Sequence, residues 1–579
     1  MKDRRRRAGA AWRGSPRAPS PPSSSSLWFA LFVFFCFALF AAVAFSTVRL
    51  FGVSFRPVLM STWQSPAMNA VSGELPISRR DPAAAFPSLQ IQEAISFPDQ
   101  VLLFLKSPPS LPISDLLCLY YSSSLSITPG GGGGGGGRPD LHLPPISSSS
   151  SSSPDPLLVR CPLAPSGFSI SLSPFPSLSL DLPPVRPHLW DHLAYAAVFD
   201  PRDNSTIVFA KGLNLRPTRL SDPSRYECIF GWNFFKPRYL LTSAVLSAAQ
   251  EIIRCKTPGS VLLRHRRRQS NRAPPLVSVK SKGRGSFTLP SVARPETILS
   301  PRDRSKKEHS MCVCTMVRNQ ARFLHEWILY HSRIGVQRWF IYDNNSDDGI
   351  EQVIHSLASS SNYNITRHSW PWIKTQEAGF AHCALRARGH CEWVGFIDVD
   401  EFLYLPSKTR LHDVLRNYSS KPWVGELRTA CHSFGPSGRK SIPSEGVMVG
   451  YTCRMNTPER HKSIVRPEAL NPSLINVVHH FHLRDGMRYV NMDRGVMVIN
   501  HYKYQVWEVF KEKFYRRVAT YVADWQDEEN VGSKDRAPGL GTKAVEPPDW
   551  PSRFCEVRDA GLRDWVLRVF SDPNTGLLP

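Results

Sequence analysis

Met311-Cys-Val-Cys-Thr-Met-Val317 is a largely apolar run, and the segments after it decide the fold. From Gln320 to Ile334 the apolar spacing is helical, with Phe323, Trp327 and Tyr330 on one side and Gly335 as a stop. Trp339-Phe-Ile-Tyr342 then reads as a second strand, ending in Asp343-Asn-Asn-Ser-Asp-Asp-Gly349. A β-α-β unit implies parallel strands joined by a right-handed crossover. In open sheets of this kind, ligands bind beyond the carboxyl ends of the strands. Arg318, Asn319 and the stretch Asp343 to Asp348 belong at those ends, so residues 311–575 are expected to form an α/β, Rossmann-like domain.

A third strand carries the chemistry. Val394-Gly-Phe-Ile-Asp398-Val-Asp400-Glu401-Phe402 runs from apolar residues straight into three carboxylates. Alternation along the extended chain points Asp398 and Asp400 to the same side. Two such carboxylates hold a hard divalent cation, which bridges readily to a diphosphate. A solvated strand end is the plainer reading of Asp-x-Asp alone. An acidic cluster at the end of a third strand in the same β-α-β sheet favours the metal reading.

Upstream, the chain changes character. It has 579 residues, 50 prolines and a net charge of +23, of which about +17 lies beyond Arg17. Such a field favours anionic partners without choosing among them. Leu27 to Val48 is uncharged over 22 residues, long enough to span a bilayer. Arg4 to Arg7, Arg13 and Arg17 precede it, which keeps residues 1–26 cytosolic and sends the rest into the lumen. A cleaved signal peptide would have a shorter apolar core. Residues 49–90 read as a stem. Residues 91–263 show short apolar runs bounded by Pro and Ser, among them Val101-Leu-Leu-Phe-Leu105, Leu116 to Tyr121, Ile207 to Ala210 and Tyr226 to Trp232, which suggest a β-sandwich. Gly130 to Gly137 and Ser147 to Ser153 are expected as flexible inserts. Residues 264–310, with Arg264-His-Arg-Arg-Arg268, are expected as a basic linker; behind a membrane anchor the run does not indicate nucleic acid.

Twelve cysteines and no tight Cys-x-x-Cys pair point to disulfides in an oxidising compartment rather than to zinc. With Cys36 in the anchor, eleven remain, so at least one thiol stays outside intrachain bridges. Asn204, Asn364 and Asn417 head glycosylation sequons.

Several ordered motifs carry a resemblance: Cys312-Val-Cys-Thr-Met-Val-Arg-Asn-Gln320, Glu326-Trp-Ile-Leu-Tyr-His-Ser-Arg-Ile-Gly-Val336, Ile341-Tyr-Asp-Asn-Asn-Ser-Asp-Asp348 and Phe396-Ile-Asp-Val-Asp-Glu-Phe402. Further matches are Ala430-Cys-His-Ser-Phe-Gly435, Glu459-Arg-His-Lys-Ser-Ile-Val-Arg-Pro-Glu468, Val477-Val-His-His-Phe-His482 and Ile499-Asn-His-Tyr-Lys-Tyr504. Together they resemble glycosyltransferase family 92, and within it most closely the plant galactan β-1,4-galactosyltransferases. The resemblance covers roughly residues 90–570, including Lys211-Gly-Leu-Asn-Leu-Arg-Pro217. It implies a GT-A catalytic fold, a carbohydrate-binding first domain, UDP-galactose as donor, Mn²⁺ as cofactor and inversion at the sugar carbon.

Carried onto this chain, the resemblance makes Asp398 and Asp400 the metal–diphosphate pair, with His501 as a further metal ligand and His479 or His480 as the alternative. Asp343, Asn345 and Asp347 would bind nucleotide, with Arg318 and Asn319 near the phosphates and sugar. An inverting transfer also needs a carboxylate base; Glu459, Glu468 and Asp485 are the candidates, and spacing does not choose. Val506 to Trp525 reads as a packed core helix. The expected partners are a UDP-sugar, a polysaccharide acceptor such as pectic β-1,4-galactan, and the Golgi membrane through a single type II span, with no nucleic acid; a homodimer is left open. Two rival classes are a lectin-like binding protein, which would need no nucleotide pocket, and a metal-dependent hydrolase, which would show a denser His/Asp ligand set.

Overall fold

Alternation along the strand His309–Val317 (β1) places Met311 and Val313 on one face and Cys312 and Cys314 on the other, and the two faces enter different cores. The computed structural model describes residues 90–578 apart from 107–114, 123–138, 150–156, 175–183, 217, 233, 235–238, 267–273, 284, 298–306, 361–362, 522–544 and 573–577. All of the described residues belong to one compact unit, Ala85–Pro579. Leu27 to Val48, the stem and Gly130 to Gly137 lie outside the described residues. Among those described, no helix is long and apolar enough to cross a membrane.

The expected β-α-β unit is present. After β1 come the helix Ala321–Ile334 (α1) and the strand Arg338–Asp343 (β2), which pairs parallel to β1. Gly335 takes φ 115° and its N–H returns to His331 and Ser332, a left-handed stop that only glycine adopts freely. Leu324, Trp327, Ile328 and Tyr330 of α1 are buried against Met311, Val313 and Ile341. The helices Ile350–Ser360 (α2) and Gln376–Ala387 (α3) come next, separated by the strand Ile365–Ser369 (β3). Phe380, Ala381 and Ala384 of α3 cover the opposite face with Phe340 and Tyr342.

The strand Cys391–Phe396 (β4) completes the parallel set on the other side of β1. Pairing is mixed beyond it, with residues 394–395 and 426–431 antiparallel to 460–465 and 401–404 antiparallel to 498–501, but 424–428 parallel to 488–491 and 431–433 parallel to 499–501. The remaining strands are Glu401–Tyr404 (β5), Val424–Ser433 (β6), Arg460–Val465 (β7), Arg488–Asn491 (β8) and Val498–His501 (β9). The sheet order is β3-β2-β1-β4-β7-β6-β9-β5, with β8 also on β6. The strand order reverses at β1, where β2 lies on one side and β4 on the other. The helix at Trp507–Tyr521 (α5, after Leu411–Ser419 as α4) buries Phe510 and Phe514 as expected; the side chain of Val518 and all of Trp525 lie outside the described set.

The first region is two sheets closed over one core, with a third sheet after them. A five-stranded sheet holds Ile91–Ser96, Gln100–Leu105 and Leu157–Pro162, and a three-stranded sheet holds Leu116–Tyr121. Their inner faces share Val101, Leu103, Cys118, Tyr120 and Ile170, and Cys118–Cys161 links them. An eight-stranded sheet spans Ala194–Asp200 to Pro295–Thr297 around its own core. Two expectations are corrected. Residues 264–310 are not simply a linker: Leu276–Ser281 pairs in register with Tyr226–Gly231, because its apolar alternation outweighs the basic run before it. Ser147–Ser149 is an edge strand on Leu158 to Arg160 rather than a loose insert, since an edge needs only backbone hydrogen bonds, and the rest of the serine run, 150–153, lies outside the described residues.

Ten cysteines form five disulfides: Cys118–Cys161, Cys228–Cys255, Cys312–Cys391, Cys314–Cys383 and Cys453–Cys555. Among the described residues Cys431 alone is free, and it is buried.

Candidate active site

At the carboxyl end of β4 the backbone does not stay extended. Residues 398–401 turn, with the Glu401 N–H donating to the Asp398 carbonyl at 3.0 Å. The expectation that strand alternation aligns Asp398 with Asp400 is therefore corrected: a tight turn brings them together, because β5 must leave in a new direction to pair with β9. The result serves the same end. Oxygens of Asp398, Asp400 and Glu401 lie within 4.8 Å of one another. The Asp398 backbone N–H also donates to the Glu401 carboxylate at 3.0 Å, which locks the turn from inside.

Four later segments converge on this turn. In the β5–β9 pair Glu401 sits opposite His501, and the Tyr502 N–H donates to the Asp400 carbonyl at 2.9 Å. That register places His501 Nε2 3.4 Å from Asp400 Oδ2, and Nδ1 3.6 Å from Glu401. Lys462, on β7, lies 3.0 Å from Asp398 and 2.7 Å from Glu401. His479 Nε2 is 3.3 Å from Asp398, and Lys513 on α5 pairs with Asp400. The Asp398 side chain keeps 27% of its surface exposed and Glu401 none, so Asp398 faces the opening and Glu401 backs it.

Charge states follow from these neighbours. Burial opposes ionisation of Asp398, but Lys462 and His479 outweigh it and hold its carboxyl well below the usual range. Lys513 and His501 do the same for Asp400 against the same penalty. Burial, with two carboxylates alongside, pushes Glu401 up to about 7 despite Lys462. Burial pushes the His501 imidazole down to about 4, so at neutral pH it offers a lone pair. Two ionised carboxylates and a neutral imidazole suit a divalent cation such as Mn²⁺, so these residues fit the expected metal.

The turn opens into a cavity of about 660 Å³. Arg318 lines it, as do Trp372, Lys374 and Glu459. The other nucleotide candidates are placed around it rather than in it. Asp343 is buried and held by Arg367 Nε and Nη2 at 3.0 and 2.8 Å. Asn319 and Asp347 clasp each other, side-chain amide to carboxylate at 2.6 Å and backbone N–H to amide oxygen at 3.0 Å. Asn345 donates to the Pro371 carbonyl at 2.9 Å. Asp348 accepts the Ala321 N–H at the start of α1. The exposed Asp347 and Asp348 thus fasten the acidic loop to the end of β1 and the start of α1, while the buried Asp343 takes Arg367 as the partner that a buried carboxylate needs.

Of the three base candidates, only Glu459 lines the cavity. It accepts from Lys503 at 2.7 Å and the Tyr504 hydroxyl at 3.1 Å, and Lys503 outweighs burial to hold it below its ordinary range. Glu468 pairs with Lys307 away from the cavity, and Asp485 is exposed. His480 turns from the acidic turn toward His461. Lys462, Lys503 and Lys513 were not expected: the first two stand inside the quoted Glu459–Glu468 and Ile499–Tyr504 motifs, and Lys513 sits in a charged stretch of α5, Lys511 to Arg517, that does not single it out.

The family model for Glycosyltransferase family 92 matches residues 307–531. A glycosyltransferase family 92 protein of Oryza sativa subsp. japonica is 59% identical over 575 residues, 97% of this chain and 94% of that protein. One from Ricinus communis is 54% identical over the full length of both, and one from Arabidopsis thaliana is 45% identical over 95% of this chain and 94% of its own. A solved structure of GalNAc-T7 with UDP, GalNAc and Mn²⁺ overlaps 45% of this chain and 57% of that chain at 9% identity; with a TM-score of 0.23 the overlap decides nothing about fold or chemistry. At such identity to the plant proteins over nearly the whole length, this chain is a glycosyltransferase and belongs to glycosyltransferase family 92.

Proposed function

We propose that the chain is a metal-dependent, inverting transferase of GT-A type that moves galactose from UDP-galactose onto a cell-wall polysaccharide such as β-1,4-galactan. It would work in the Golgi lumen, held by a type II anchor at Leu27 to Val48. One observation carries the reading: the turn of Asp398, Asp400 and Glu401 stands at the carboxyl end of β4, in a cavity that Arg318 lines from the end of β1. That is the switch point of the sheet, where nucleotides bind.

Asp398, Asp400 and His501 would hold the cation. When bound, Mn²⁺ supplies charge stabilisation for the departing nucleoside diphosphate. Arg318 and Lys374, which both line the cavity, provide fixed positive charge for phosphate oxygens. Glu459, held ionised by Lys503, takes the proton from the acceptor hydroxyl as the new glycosidic bond forms. Lys462 keeps the buried Glu401 from standing as an uncompensated charge behind the turn.

The experiment is a screen of the purified full-length chain with Mn²⁺, a panel of UDP-sugars and polysaccharide acceptors. Galactose incorporation into β-1,4-linked product from UDP-galactose is expected. Transfer of a different sugar, binding without turnover, or hydrolysis without acceptor would each overturn the donor and acceptor assignment.

A further inference from the structure

Beside the acidic turn, the sheet meets a short hairpin made by Asn476–Val477 and His480–Phe481. Glu426 of β6, His461 of β7 and His480 of the hairpin each bring one donor atom within 4.8 Å of the others. The two imidazoles face each other with centroids 3.9 Å apart. His461 Nε2 and His480 Nδ1 are shut away from solvent with no hydrogen-bond partner. Buried polar atoms without partners are uncommon and need a cause.

Glu426 is fully buried and its carboxylate is oriented from behind. The Ser463 hydroxyl donates to Oε1 at 2.5 Å, Arg428 Nε lies 3.1 Å from the same oxygen, and Arg428 Nη2 donates to Oε2 at 3.2 Å. Arg428 is itself stacked on Tyr489 at 3.5 Å. Around metal ligands, outer partners of this kind fix the ligating carboxylate. His461 and His480 both line the cavity, which provides an entry path.

We propose that Glu426, His461 and His480 form a second metal site, separate from the acidic turn, that takes Zn²⁺. Two imidazoles and one carboxylate suit this ion, with a fourth position left for water from the cavity. Mn²⁺ and Mg²⁺ favour the oxygen-rich turn instead. The adjacent residue in the hairpin, His479, lies 3.3 Å from Asp398. Zinc between β7 and the hairpin would hold His479 in place, which makes the site a positioning device. The proposal does not depend on which sugar is transferred.

The test uses the full-length chain carrying Asp398→Asn and Cys431→Ser, so that the turn and the free thiol do not compete. After stripping with EDTA, it is titrated with Zn²⁺ by calorimetry, and bound zinc is counted by mass spectrometry. One zinc per chain is expected, with affinity falling more than about tenfold when His461→Gln or His480→Gln is added. Absence of bound zinc, or zinc bound equally well after both histidine changes, overturns the site. Should those variants fail to fold, Co²⁺ in the same background decides: an intense visible band of a four-coordinate centre supports the site, and a weak six-coordinate spectrum overturns it.

Discussion

Lys462 donates to Asp398 Oδ2 across 3.0 Å, although 64 residues separate the two in the chain. The same ammonium lies 2.7 Å from Glu401. Burial alone would lower the lysine's pKa, but the two carboxylates more than reverse this and push it up. The turn therefore carries its own counter-charge, and a bound cation would share Asp398 with it.

Replacing Lys462 should expose that arrangement. Lys462→Met keeps the length of the side chain and leaves Glu401 uncompensated. Breaking a buried pair from one side costs about 3–5 kcal/mol, and the partial exposure of Asp398 places this case near the lower end. The variant should melt at a lower temperature without metal and regain more stability from added Mn²⁺ than the parent does. Thermal melts with and without Mn²⁺ read this; equal metal responses would contradict it.

The first region holds one wall of the cavity. Trp372 lines the cavity and packs against Phe104 at 5.9 Å, Trp190 at 5.8 Å and Tyr195 at 5.1 Å. Lys211 donates to the Lys374 carbonyl at 3.2 Å on the same wall. Trp190→Ala, at a position that does not line the cavity, should cost about 3 kcal/mol of stability and lower kcat/KM. A melt beside steady-state kinetics tests both; unchanged kinetics in a destabilised variant would show that the wall stands without this packing.

His331 makes stability depend on pH. It is wholly buried, donates from Nδ1 to the Trp327 carbonyl at 2.8 Å and accepts the Leu403 N–H at 3.3 Å. Burial pushes its pKa down to about 4. The unfolded chain takes up this proton below about 6.5, while the fold refuses it until about 4. Stability should therefore fall as pH drops from about 6.5 toward 4, by at most about 1.4 kcal/mol per unit from this group. Buried His382 acts in the same direction. Melting curves across that range should show a shallower decline for His331→Gln than for the parent; identical slopes would contradict the assignment.

How much of this is legible in the sequence depends on how local each signal is. Leu116–Tyr121 and Ala321–Ile334 appear where apolar spacing and Gly335 put them, because burial and termination are written in adjacent residues. The basic run before it hides the strand Leu276–Ser281. The turn at Asp398 reads as extended, since its direction depends on β5 meeting β9 about a hundred residues on. Asp343 looks like a ligand until Arg367, one strand away, takes its charge. Lys462 and His479 reach the site through antiparallel pairing and a hairpin, which no local pattern announces.

Two disulfides fasten β1 to its neighbours. Cys312–Cys391 joins it to β4, and Cys314–Cys383 joins it to α3, closing separations of 79 and 69 residues. In the chain-entropy account each contributes about 4 kcal/mol. Cys314→Ser with Cys383→Ser should lower the denaturation midpoint accordingly; an unchanged midpoint would contradict the pairing.

The central claim is that Asp398 and Asp400 hold the cation on which transfer depends. Asparagine keeps volume and a neutral oxygen but removes the charge. The most direct measurement is galactosyl transfer by the full-length Asp398→Asn and Asp400→Asn variants with Mn²⁺, beside a thermal melt of each. The account predicts folded proteins whose transfer has fallen on the order of a thousandfold or more. Near-normal transfer by both variants would contradict it.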